Sequence, residues 1–150
     1  MEEGLLDTNL LVYADNADAQ DHLAARAFRN QALNGEVRCC VAWQNLSEYY
    51  AVMTGKKREK PLRPADAWAN VRTFLDSEKV RVITPRDSTW QIVEHLLKAK
   101  PVAGVVIHDL TLAATALSHG VRLIYTANLS DFKDLPGIRA VNPLVTEKSN

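Results

Sequence analysis

The feature that most constrains this chain is a repeated alternation. Short β-type apolar runs give way to longer stretches whose apolar residues recur at helical spacing. The short runs are Gly4 to Asp7, Val37 to Ala42, Val80 to Thr84, Val121 to Thr126 and Arg139 to Asn142. After the first run, Asn9 to Ala14 is a short helix that Asp7 or Thr8 would cap. Asp18 to Leu33 carries Leu23, Ala24, Ala27 and Phe28 on one helical stripe. Trp43 to Thr54 carries Leu46, Tyr49, Tyr50 and Met53 at i, i+3, i+4 and i+7, and Gly55 ends it. Pro64 suits the first turn of a helix that uses Ala67, Val71, Phe74 and Leu75. Asp87 or Ser88 can cap a helix carrying Trp90, Val93, Leu96 and Leu97. Asp109 to His119 carries Leu110, Ala113, Ala114 and Leu117 and follows a further β-type run, Val105 to Ile107. Strands and helices that alternate in this way predict an α/β chain with parallel strands and helices on both faces. The expected architecture is a three-layer α/β/α sandwich with a central, mostly parallel sheet.

Length and composition narrow the function classes. At 150 residues the chain suits one domain, placed at 1–145 with a short C-terminal tail at 146–150. Apolar residues make up 47%, which argues against disorder. Eighteen basic residues balance eighteen acidic ones, so the strongly basic signature of a nucleic-acid coat protein is absent. No apolar run approaches the roughly 20 residues of a membrane helix. The start, MEEGLLDTN, is acidic where a secretory signal would be basic. A cytoplasmic protein without membrane contact is expected. Cys39 and Cys40 are adjacent, and neighbouring strand residues point to opposite faces, so a bond between them is implausible.

In an open parallel sheet, ligands bind beyond the carboxyl ends of the strands. The polar residues expected there are Asp7, Asp109, Asn128 and Asp131, with Glu48 in the early turns of the helix after Val37–Ala42. Oxygen-rich side chains gathered at one edge repel unless a positive charge lies between them. A hard divalent cation, Mg²⁺ or Mn²⁺, is the economical solution. Each residue also has a plainer use. Asp7 and Asp109 can cap helices, and Asn128 and Asp131 fit a turn. Glu48 lies nearly opposite the apolar stripe of its helix, so periodicity alone turns it to solvent. The lone His108 could meet a substrate phosphate, and the basic loop Lys56 to Arg63 an RNA backbone; both are equally read as solvated surface. There is no G-x-S-x-G, P-loop or G-x-G-x-x-G, and no zinc-ligand spacing.

Four segments in order resemble the PIN-domain family, most closely the VapC-like toxins of type II toxin–antitoxin pairs. They are LLDTNLLVYA at 5–14, QNLSEYYAVM at 44–53, GVVIHDLTLAATALSHGV at 104–121 and LIYTANLSDFKDLPGIRAVNP at 123–143. The resemblance implies a PIN-like fold and a Mg²⁺-dependent endoribonuclease. Its acidic positions fall on Asp7, Glu48, Asp109 and Asn128, with Asp131 as an alternative source of the fourth charge. Asp7 and Asp109 are the implied metal ligands, and Thr8 and Thr126 the implied supporting hydroxyls. It also implies that Glu48 faces the cleft, against its periodicity. RNA substrate, a cognate antitoxin protein and a second copy of the chain in a homodimer are the implied partners. A catalytically silent, DNA-cutting or housekeeping PIN domain stays open as an alternative. A receiver-like Mg²⁺-binding signalling module fits less well: Asp7 has no acid beside it, and no Lys directly follows the LIYTAN strand.

Overall fold

A computed structural model of the chain describes residues 1–145; the expected tail at 146–150 lies outside the described residues. The described residues form five strands and six α-helices. The strands are β1 (Gly4–Leu6), β2 (Cys39–Ala42), β3 (Arg81–Ile83), β4 (Leu123–Tyr125) and β5 (Arg139–Val141). The helices are α1 (Thr8–Asp15), α2 (His22–Leu33), α3 (Trp43–Thr54), α4 (Pro64–Leu75), α5 (Thr89–Ala99) and α6 (Ile107–Ser118). The strands form one sheet in the order β3-β2-β1-β4-β5, and every pairing is parallel. The chain builds outward from β1 to β2 and β3, then returns to β1's other side for β4 and β5. The direction of winding therefore reverses between β1 and β4, where such sheets open a crevice.

Strand alternation divides the interior into two layers. Leu5, Cys40, Ala42, Ile83 and Ile124 face a core shared with Leu96 of α5 and Leu110, Ala113 and Ala114 of α6. Leu6, Cys39 and Val41 face the other, with Leu10 and Leu11 of α1, Leu46, Tyr49 and Met53 of α3, and Val71 and Phe74 of α4. The adjacent cysteines thus belong to different layers. Both are free and buried, and burial pushes both thiols up to about 12.

Several local expectations need correction. Val105 to Ile107 is not a strand: Gly104 to Val106 is a single 3₁₀ turn entered at φ +67°, and Val105 is 80% exposed. Both sides of β1 and β4 already carry strands, so this apolar run cannot enter the interior of the sheet. It leads straight into α6, which begins two residues before Asp109. Helix α2 starts at His22 rather than Asp18, because Asn16 draws the Asp18 N–H into a turn. Its buried face is Ala25 and Ala32, while Leu23 is 78% exposed; an alanine-rich helix offers little contrast from which to judge its orientation. Ser88 stands at the N-cap of α5 without a capping bond, and Thr89 Oγ1 instead accepts from the Arg86 N–H.

Gly4 is packed where no side chain fits. A Cβ there would lie 2.3 Å from Cε2 of Tyr125, whose ring makes an edge contact with Phe28. Gly4→Ala is expected to lower stability by about 1–3 kcal/mol, read as a drop in the urea midpoint at unchanged slope.

Candidate active site

The crevice between β1 and β4 is organised around Asp7. The residue directly follows β1, and its backbone N–H donates to the Tyr125 carbonyl at 2.9 Å. Its carboxylate is gripped from two directions. Oδ1 accepts from the Thr8 N–H at 2.8 Å, and Oδ2 accepts from Thr126 Oγ1 at 2.8 Å. Asp7 is therefore the N-cap of α1 and also a group aimed into the crevice. The two uses do not compete, because each carboxylate oxygen accepts one of these bonds and keeps a further lone pair.

Thr126 directly follows β4 and is fully buried. While donating to Asp7, its hydroxyl accepts from Asn9 Nδ2 at 3.2 Å and from the Asn128 N–H at 3.0 Å. Asn9 Oδ1 in turn accepts from the Ala127 N–H at 3.2 Å. These bonds tie the start of α1 to the end of β4. Asn9 was not singled out from sequence, although it lies within the Asp-Thr-Asn run.

Glu48 reaches the same place from α3. Oε2 accepts from Thr8 Oγ1 at 2.9 Å, and Oε1 accepts from Gln44 Nε2 at 2.9 Å. Asn45 is wholly buried; it donates to Thr8 Oγ1 at 3.1 Å and accepts from the Ala42 N–H at 3.0 Å. Gln44 also donates to the carbonyl of His108, linking α3 to the start of α6. The solvent-facing orientation that periodicity assigns to Glu48 is thus wrong. The helix does turn that face away from the apolar core, but α1 and α6 lie there instead of open water. Gln44 and Asn45 were also missed. Their only signal is a pair of amides in the first turn of a helix leaving a strand end.

Asp109 is the third residue of α6 and does not cap it; Val106 occupies the cap. It is half-buried, and no hydrogen bond holds its carboxylate among the described residues. Desolvation, followed by the charges of Asp131, Asp7 and Glu48, raises it from 3.8 to about 6, opposed only by His108. Asp7 is raised as well, chiefly by burial and further by Glu48 and Asp131, against the lowering effect of its bonds from Thr126 and Thr8. Asp131 lies in the 3₁₀ turn Leu129–Phe132. Its charge bears on both Asp7 and Asp109. Asn128, by contrast, is exposed and accepts from Ser130 Oγ at 2.7 Å.

Four carboxylates therefore share one field, and neither Asp7 nor Asp109 has a Lys or Arg lowering it. Among the described residues, no group of three or more His, Cys, Asp or Glu side chains is arranged to hold a metal ion unaided.

The comparisons fall in line with this geometry. The family model for the PIN domain matches residues 4–138. The chain belongs to the PIN-domain family. Ribonuclease VapC24 of Mycobacterium tuberculosis is 28% identical to this PIN domain over 152 residues, covering 95% of this chain and 97% of that protein. The VapC ribonuclease Mb2897 of Mycobacterium bovis is 28% identical over 115 residues, covering 76% and 78%. Two solved structures share the fold. VapBC2 from Rickettsia felis, bound to a promoter DNA fragment, has a TM-score of 0.65 at 21% identity and covers 93% of this chain and 98% of that one. VapC20 of Mycobacterium tuberculosis, a Sarcin-Ricin loop cleaving toxin, has a TM-score of 0.65 at 18% identity, with 90% and 98% covered.

The electrostatics of this PIN domain carry a stability signature. A carboxyl whose folded value stands near 6 against 3.8 binds its proton more tightly in the folded state. Its contribution to stability is present below about pH 4 and fades as pH rises to 6. Metal-free protein is expected to melt at a higher temperature at pH 5 than at pH 7. Asp109→Asn should raise the pH 7 midpoint and flatten that difference; scanning calorimetry in EDTA checks both.

Proposed function

We propose that this PIN domain is a metal-dependent endoribonuclease that hydrolyses RNA phosphodiester bonds, and that it is the toxin of a type II toxin–antitoxin pair. The observation that carries this reading is the convergence of Asp7, Glu48, Asp109 and Asp131 at the β1–β4 crevice, with neither Lys nor Arg lowering Asp7 or Asp109. The names of the curated relatives, ribonucleases across most of this chain's length, support the same reaction class.

Asp7 and Asp109 would hold the ion, Mg²⁺ or in its place Mn²⁺. When bound, the ion lowers the pKa of water and offsets charge growing on the phosphate. The protein's own part is positional. Thr8 and Thr126 keep the Asp7 carboxylate turned into the crevice. Glu48, fixed by Thr8 and Gln44, would orient an attacking water and take its proton. Asp131 supplies the fourth negative charge, and Asn128 shapes the turn that carries it. The absence of an acid at position 128 is the motive for the silent alternative, and the field from Asp131 at Asp7 and Asp109 weakens that motive.

The proposed setting is the cytoplasm. No helix among the described residues is long and apolar enough to cross a membrane. An antitoxin partner is supported by the toxin–antitoxin complexes among the structural neighbours. A cleft of about 210 Å³ lined by Trp43, Leu46, Tyr50 and Trp68, with the two tryptophans in edge contact, suits an apolar partner segment. A homodimer completes the proposed assembly.

Labelled single-stranded RNA should be cut in Mg²⁺ or Mn²⁺ and spared in EDTA. Asp7→Asn and Asp109→Asn should each lose at least about 100-fold in rate, and Thr126→Val about 10–100-fold as a positioning loss. Cleavage that survives EDTA, or that survives in both aspartate variants, defeats the assignment.

A further inference from the structure

The opposite edge of the sheet carries the opposite charge. Glu2 and Glu3 lead into β1. Each of the other strands is introduced by an arginine: Arg38 just before β2, Arg81 opening β3, Arg122 just before β4 and Arg139 opening β5. Arg139 is taken up by Glu2. The other three turn to one side. Cys40, Ile83 and Ile124 face the layer of α5 and α6, and the two-residue strand period puts Arg38, Arg81 and Arg122 on that same side. They line one cleft of about 530 Å³ with Glu2 and Glu3 and with His119 and Gly120 from the end of α6. Arg86 stands at its rim, with Nη2 3.2 Å from His119 Nδ1.

Both acids here are already paired, Glu2 with Arg139 and Glu3 with Arg81. Glu3 engages Arg81 through both carboxylate oxygens, at 2.6 and 3.3 Å. Arg38 and Arg122 are exposed and make no side-chain hydrogen bond or ion pair among the described residues. β1 separates β2 from β4, which spaces these two arginines roughly 10 Å apart. A row of guanidinium groups at that spacing suits a repeated anion better than a single one, and guanidinium pairs well with phosphate oxygens.

We propose that this arginine edge is a phosphate-binding exosite for the RNA backbone, separate from the acidic crevice. It rests on the ribonuclease reading for the identity of the polyanion. The two edges lie roughly 13 Å apart along the strand from Glu3 to Asp7, within the span of one folded RNA. The chain's zero net charge then conceals a polarised molecule, with one edge that attracts RNA and one that admits it only with a cation present.

The test is binding, so that it does not depend on cleavage. Asp7→Asn protein is titrated with a labelled RNA hairpin in EDTA at several salt concentrations. Adding Arg38→Gln and Arg122→Gln should weaken binding at least about tenfold and reduce the log–log salt slope by about 1.5, near 0.7 for each lost phosphate contact. Arg38→Lys with Arg122→Lys should keep most of the affinity, and unchanged melting curves would show intact folds. Equal affinity and slope in the glutamine variant would overturn the exosite. So would arginine-dependent binding of a glutamate-rich peptide with RNA unaffected. If the wild type cuts no RNA but the arginine-dependent slope is seen, the exosite stands and the nuclease reading falls.

Discussion

The burial of carboxylates beside one another at the β1–β4 crevice is the constraint on which this protein turns. Left to themselves, such groups would swing apart into solvent. Asp7 cannot, because Thr126 and the Thr8 backbone hold its two oxygens from opposite directions. Glu48 is restrained by Thr8 and Gln44. Asp109 lacks any such bond and is placed by the helix that carries it, so it bears the strain of the cluster most openly. The fold thus holds an arrangement that disfavours itself, and carboxyls raised in this way cluster at functional sites.

The topology explains why these groups meet. Asp7 and Thr126 leave neighbouring parallel strands at the one place where the winding reverses, so no crossover covers them. Glu48 arrives because α3 starts at the end of β2, and Asp109 because α6 starts close enough for His108 to accept a bond from Gln44. Residues more than a hundred positions apart are joined by side-chain bonds only a few ångströms long. The hydroxyls of Thr8 and Thr126 act as junctions, each donating to one acid while accepting from an asparagine.

Much of this was legible in the sequence. The five strands of the sheet follow from β-branched and apolar runs bounded by Gly, Pro and Asn, and α3 begins at Trp43 and stops at Gly55, while α4 begins at Pro64, as the sequence says they should. Legibility failed where the deciding partner is remote. Val105 to Ile107 has strand composition, but whether a run pairs depends on remote strands that local sequence does not encode. Glu48 has a solvent-facing phase, yet phase does not reveal what lies opposite. The buried amide of Asn45 left no periodic trace, since a polar side chain at a core position looks like an interruption until its partner is known. Asp109 and Asp131 were recognisable as acids near an edge; only the structure brings their charges to bear on one another.

Cys39 and Cys40 sit side by side in β2 yet belong to separate interiors. The peptide unit between them is the wall dividing the two hydrophobic layers, and β2 is fastened on both faces at once. A fluctuation that loosens the helices on one side tugs at a strand anchored on the other. Amide exchange along β2 should accordingly follow the global unfolding of the domain rather than the breathing of either half, which makes this short strand the hinge pin of its cooperativity.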